Sequence, residues 1–258
     1  METKFIDVSG LRVRYLETAG NGDVPLIILH GWGSSVDSWR TVASQLAERN
    51  IQVFIPDLPG FGQTKEPPSA WGANDYVEFV KKFARELGMQ KFDLAGHSFG
   101  GQLAIEYAAQ YPPEIRKLVL IAAARIMKRR KLRVKLFLVV TKIGNLIFAL
   151  PPLALLRPLV QKIWYAITGE RDYYRASTRM REVFKNVGAD VGSRLEMIKV
   201  PTLILWGARD DATPLADARI IHDKIPNSKL HIFPGEGHDL NFKKPREIAQ
   251  KIFGFREE

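Results

Sequence analysis

The chain has 258 residues and no cysteine, which excludes disulfide scaffolds, thiolate metal sites and cysteine nucleophiles. Its length fits one α/β domain with an insertion, able to bury roughly 70–75% of its unfolded surface without covalent staples. The net charge of +10 is uneven: Arg125 to Gly192 holds 15 Lys/Arg against 4 Asp/Glu, so the remainder is close to neutral.

Met1 to Phe5 shows no apolar leader core, and together with the missing cysteines this points to a reducing, cytoplasmic location. Phe5 to Val8 and Leu11 to Glu17 alternate apolar and polar about Ser9-Gly10, the pattern of a hairpin at a sheet edge. Pro25 to Leu29 is a continuous apolar run, as in a parallel strand buried on both faces. It ends in His30-Gly31-Trp32-Gly33, and Asp37 is positioned to cap the next helix, whose apolar residues are Trp39, Val42, Ala43 and Leu46. Ile51 to Ile55 is a second buried strand, running into Asp57-Leu58-Pro59-Gly60-Phe61-Gly62. After a proline-rich loop, Asn74 is placed to cap a helix through Tyr76, Val77, Val80, Phe83 and Leu87, closed by Gly88.

The next strand, Phe92 to Ala95, runs into Gly96-His97-Ser98-Phe99-Gly100-Gly101 and then directly into a helix. A Gly-x-Ser-x-Gly turn this tight forces the serine into a strained conformation, with its Oγ projecting at the sheet edge. The main-chain N–H groups that follow lie at a helix N-terminus, where developing negative charge is stabilised. Lys117 to Ala124 reads as a further strand. From Arg125 the strand–helix alternation stops, and a helical, proline-broken segment runs to Gly192. Its greasiest part, Leu136 to Leu156, is a poor membrane span because Lys142, Gly144, Asn145, Pro151 and Pro152 interrupt it. Alternation resumes with the strand Pro201 to Trp206, ending in Gly207-Ala208-Arg209-Asp210-Asp211. A helix from Leu215 to Ile225, a strand from Lys229 to Phe233 ending in Gly237-His238, and a helix from Pro245 to Phe255 complete the chain.

Such alternation implies a mostly parallel central sheet flanked by helices, with ligands at the carboxyl ends of its strands. Serine needs a base to become a nucleophile, and histidine needs a carboxylate to fix its tautomer. Ser98, Asp210 and His238 each follow a strand and so should converge on one edge. The order Ser…Asp…His, with the His-Gly-Trp-Gly, Leu-Pro-Gly-Phe-Gly and Gly-His-Ser-Phe-Gly-Gly segments, resembles the α/β-hydrolase superfamily, in its serine esterase and lipase-like branch.

That resemblance implies an α/β-hydrolase fold with core residues 1–124 and 193–258 and a helical cap, 125–192, inserted after the strand that follows the nucleophile helix. It implies Ser98 as nucleophile, His238 as general base and Asp210 as orienting acid, with Asp211 as rival. The N–H groups of Trp32 and Phe99 take the place of the oxyanion hole. Phe137, Phe148, Trp164 and Tyr165 of the cap are candidates to line the substrate pocket, with core packing as the plainer reading of each.

The expected reaction is cleavage of a small-molecule carboxylic ester through an acyl-enzyme, with no cofactor and no metal. Carbon–carbon hydrolysis, cofactor-free haloperoxidation and carrier-protein methyl-ester hydrolysis are the enzymatic alternatives, and a binding protein on the same scaffold is the non-enzymatic one. Serine at the elbow speaks against dehalogenases and epoxide hydrolases of this fold, which carry aspartate there. The Gly/Pro/Ala-rich loop usual in carbon–carbon hydrolases is absent after His30-Gly31. His30 is expected to hold the oxyanion loop, and His97 to meet either the pocket or local packing. His222 and His231 read as surface or core residues. The basic run Arg125 to Lys135 reads first as a solvated helix face. Its functional readings are substrate steering, an anionic membrane surface that would make the enzyme peripheral, or an acidic protein such as a carrier protein; nucleic acid has no accompanying motif.

Overall fold

The structure, a computed structural model, describes residues 1–20, 22, 24–124, 126, 176–188 and 190–258. Among the described residues, eight strands form one sheet: β1 (Glu2–Val8), β2 (Leu11–Glu17), β3 (Leu26–Leu29), β4 (Val53–Pro56), β5 (Phe92–His97), β6 (Ile115–Ile121), β7 (Thr202–Gly207) and β8 (Ser228–Phe233). Their order is β1-β2-β4-β3-β5-β6-β7-β8. The β1–β2 hairpin forms the expected edge and joins β4 antiparallel; every other pairing is parallel.

The helices among the described residues are α1 (Arg40–Ala47), α2 (Ala73–Glu86), α3 (Phe99–Gln110), α4 (Thr178–Asn186), α5 (Leu215–Lys224), α6 (Leu240–Lys243) and α7 (Pro245–Glu257). They cover both faces of the sheet. Ile27 and Leu29 of β3 and Leu94 of β5 point to a core shared with α2, α3, α4 and α5. Leu26 and Ile28 of β3 and Ala95 of β5 point to a second core shared with α1 and α7. The period-2 alternation of a strand thus feeds two cores, which is why β3 is apolar on both faces.

Two helix starts differ from expectation. The turn before α1 is capped by Ser35, whose Oγ accepts the Asp37 N–H, while Asp37 itself pairs with Arg14 and Arg40. Helix α2 starts at Ala73, so Asn74 lies inside it; the Asp75 carboxylate accepts the Gly72 N–H at 2.8 Å instead. Strand β6 stops at Ile121, because Ala122 turns the chain with φ of 46°.

Of the expected helical insertion, α4 is described. Ser177 caps it through its Oγ to the Met180 N–H. It is tied to the core by Asn186 Nδ2 to Ala70 O at 2.7 Å and by Gln102 Nε2 to Val187 O at 2.7 Å. Phe137, Phe148, Trp164, Tyr165 and the basic run 125–135, apart from Ile126, lie outside the described residues. Among the described residues no helix is long and apolar enough to cross a membrane.

Candidate active site

The site begins at the junction of β5 and α3. Ser98 sits there with φ of 51° and ψ of −114°, the strained conformation expected of a strand–turn–helix elbow. Its main chain is clamped from both sides: its N–H donates to Ile121 O at 3.0 Å, and its carbonyl accepts from Ala124 and Gln102 N–H at 3.0 Å each. Glycine is required around it. A Cβ on Gly96 would lie 2.7 Å from Gly101 N, and one on Gly100 would lie 2.7 Å from His30 O and closer still to Leu29 O. Helix α3 can therefore start in direct contact with the end of β3.

The loop after β3 turns beside this elbow. Gly31 lies so near that a Cβ there would meet Ser98 Cβ at 3.3 Å. Ser34 N–H closes a turn onto Gly31 O, with Gly33 at φ of 72°, and Trp32 is carried at its head. Neither the Trp32 nor the Phe99 N–H donates to any described residue; Phe99 is the first residue of α3, whose leading N–H groups have no intrahelical acceptor. Both oxyanion candidates are thus free donors on the two sides of Ser98.

Two buried groups fix the loop. His30, fully buried, accepts the Leu58 N–H at Nε2 (3.0 Å) and donates Nδ1–H to Gly31 O (2.8 Å). Burial pushes its pKa down, so it works as a neutral brace, the holding role expected of it. Asp57, also fully buried, accepts from Val36 N–H and Gln63 N–H at 2.8 Å each, with Arg14 Nη1 at 3.5 Å.

The candidate acid comes from the turn after β7. Asp210 is buried, and each of its oxygens has its own task. Oδ1 accepts from Ala212 N–H (2.9 Å) and Thr213 N–H (2.7 Å). Oδ2 accepts the Thr213 hydroxyl (2.7 Å) and the His238 Nδ1–H (2.8 Å). Burial alone would raise the Asp210 carboxyl, but the hydrogen bonds from His238 and Thr213 outweigh it and hold the group below its ordinary value. Asp211 is exposed and takes no part, so Asp210 is the carboxylate that meets His238.

His238 is held at a second point. His97, the residue before Ser98, donates its Nε2–H to the His238 carbonyl at 2.9 Å, and the two rings lie 4.8 Å apart. Burial first, and the nearby His238 second, push the pKa of His97 down to about 4. His97 is thus a neutral donor that ties the elbow to the histidine loop, which assigns it to local packing. No hydrogen bond joins Ser98 Oγ to His238 among the described residues. With Nδ1 committed to Asp210, Nε2 is the nitrogen left for a base.

Aromatic side chains wall the elbow. Trp32 packs edge-on against Phe61 (4.9 Å), Phe99 (5.4 Å) and Phe184 of α4 (5.0 Å). His222 bonds Ser228, and His231 packs on Phe233, both away from the elbow. Among the described residues there is no cluster of side chains suited to a metal ion. Asp57 opens the Asp57-to-Gly62 segment that the sequence already marks, but Thr213 carries no sequence signal of its own, since a threonine before a proline in a turn reads as ordinary loop.

Comparison with known proteins places these features. An uncharacterized protein of Mycobacterium tuberculosis is 28% identical over 91% of this chain and 75% of its own length. The 2-hydroxy-6-oxo-2,4-heptadienoate hydrolase of Pseudomonas putida is 27% identical over 93% of this chain and 91% of its own. The crystal structure of a membrane phospholipase A described as a bacterial virulence factor superposes with a TM-score of 0.78 at 26% identity, covering 99% of this chain and 86% of that one. The profile of the alpha/beta hydrolase family matches residues 26–251, from the first parallel strand into the last helix, and the chain belongs to that family.

Proposed function

We propose that this protein is a serine hydrolase that cleaves carboxylic esters through an acyl-enzyme. The observation that carries this reading is the Asp210–His238 pair at 2.8 Å on the same sheet edge as the strained Ser98. In this mechanism Ser98 Oγ attacks the ester carbonyl carbon as His238 Nε2 takes its proton. Asp210 keeps the ring in the Nδ1–H tautomer and balances the imidazolium. The carbonyl oxygen, now an oxyanion, accepts from Trp32 and Phe99 N–H. Collapse expels the alcohol, which receives the proton from His238. Water, deprotonated by the same nitrogen, then attacks the acyl-enzyme and releases the acid and Ser98.

The aromatic wall of Trp32, Phe61, Phe99 and Phe184 suits an apolar acyl group, and the phospholipase A neighbour supports an ester substrate. A second reading, hydrolysis of a carbon–carbon bond in a dienoate, is favoured by the name of the Pseudomonas putida relative.

The two readings separate in one experiment. The protein is assayed on p-nitrophenyl esters from acetate to palmitate, and in parallel on a coloured 2-hydroxy-6-oxo-dienoate. Turnover of esters that is lost in Ser98→Ala supports the proposal. Bleaching of the dienoate without ester turnover moves the assignment to carbon–carbon hydrolysis.

A further inference from the structure

Thr213 is the buried polar residue nearest the Asp210–His238 pair whose role the reaction above does not use. It lies three residues after Asp210 and just before Pro214. Three contacts fix it in place: Trp206 Nε1–H donates to its carbonyl at 2.8 Å, its own N–H donates to Asp210 Oδ1 at 2.7 Å, and its hydroxyl lies 3.2 Å from Ala122 O. Trp206 is fully buried in β7, and Ala122 holds a left-handed conformation at the end of β6, so the framework around the hydroxyl is rigid.

The hydroxyl has one proton and two acceptors to choose from. Asp210 Oδ2, charged and at 2.7 Å, is the stronger one, and Ala122 O at 3.2 Å is the weaker. With the proton on Asp210, a Thr213 Oγ1 lone pair faces His238 Nδ1 at 3.3 Å. The His238 Nδ1–H is therefore flanked by Oδ2 and Oγ1, and Oδ2 already receives a second donor.

We propose that Thr213 is a positioning residue for this pair: its hydroxyl locks the Asp210 rotamer and shares the carboxylate oxygen that takes the His238 proton. Two consequences follow. Asp210 stays an acceptor only, and its pull on the imidazolium is moderated, because part of the Oδ2 charge is spent on the hydroxyl. The proposal rests on the reading of Ser98, His238 and Asp210 as the reacting set.

Thr213→Val keeps the shape and removes the hydroxyl; Thr213→Ser keeps the hydroxyl and removes the methyl group. With folding checked by circular dichroism, Thr213→Val is expected to lower kcat for a p-nitrophenyl ester about 10-fold with KM unchanged. The acid limb of its kcat/KM profile should move to higher pH by about half a unit, since Oδ2 then holds the imidazolium more strongly. Thr213→Ser should return both to near wild type. A Thr213→Val profile that superimposes on wild type overturns the proposal, as does a Thr213→Ser protein as impaired as the valine variant. The low-field proton resonance of the His238 Nδ1–H gives a readout that needs no substrate. A resonance shifted in Thr213→Val and restored in Thr213→Ser supports the clamp even if no ester is turned over, in which case the esterase reading fails and this one stands; an unshifted resonance overturns it.

Discussion

Replacing Gly100 by alanine tests whether the contact between α3 and the end of β3 sets the chemistry. A Cβ at this position would sit 2.6 Å from Leu29 C and 2.7 Å from His30 O, where ordinary contact begins at 3.4 Å. Both obstacles are backbone, so no side chain can swing aside, and the elements must part by close to 1 Å. If α3 moves, Phe99 N–H and Ser98 move with it. If β3 moves, the His30-Gly31-Trp32 loop goes with it. Either way the two candidate oxyanion donors separate from each other and from Oγ. A displacement of about 1 Å in a reacting geometry costs on the order of 10²-fold in turnover. Overpacking costs about 1–3 kcal/mol, offset in part by about 1 kcal/mol of helix propensity gained on replacing glycine, so the variant stays folded. The control is Gly254→Ala, in α7, where a Cβ meets nothing within 4 Å. It should keep full turnover and gain about 0.5–1 kcal/mol in urea unfolding. A folded Gly100→Ala protein with turnover within threefold of wild type refutes the argument.

Two further outcomes follow from the same geometry. Asp210→Asn should lower kcat on esters by about 10⁴, the loss expected when the histidine tautomer is no longer fixed, while Asp211→Asn should stay within about twofold. Equal losses in both variants, read by steady-state kinetics, would undo the assignment of the acid. His97 supplies a pH signature: its folded pKa of about 4 lies below the ordinary 6.5, so the unfolded chain binds its proton first on acidification. Its contribution is therefore complete above pH 6.5 and lost as pH falls toward 4, by about 3 kcal/mol. Urea unfolding at pH 7 and pH 4.5 should show a smaller drop in His97→Asn than in wild type, and parallel drops would refute the buried neutral imidazole.

Much of this architecture was legible in the residues. The inner strands, such as Leu26–Leu29 and Thr202–Gly207, announce themselves as apolar runs because both faces of the sheet are covered. Ser98, Asp210 and His238 each follow a strand directly, so the parallel topology alone brings them to one edge. Helix starts were harder to read. Asp37 and Asn74 are good capping residues, but the chain turns earlier in both places, and Ser35 and the Gly72–Asp75 pair do the work. The choice between Asp210 and Asp211 could not come from adjacency. It is made by the turn, in which Ala212 and Thr213 N–H bind Oδ1 and leave Oδ2 for His238. His97 was equally undecided, because only the folded loop shows its Nε2–H meeting the His238 carbonyl. Thr213 was invisible, since nothing in a threonine before proline says which carboxylate its hydroxyl will reach.

The most direct test of the central claim is mass spectrometry of the protein quenched during turnover of a p-nitrophenyl ester. The account predicts a transient acyl adduct on the peptide carrying Ser98, absent in Ser98→Ala and longer-lived in a His238→Ala variant acylated with an activated ester. Ester turnover with no adduct at Ser98, or an adduct at another residue, would contradict it.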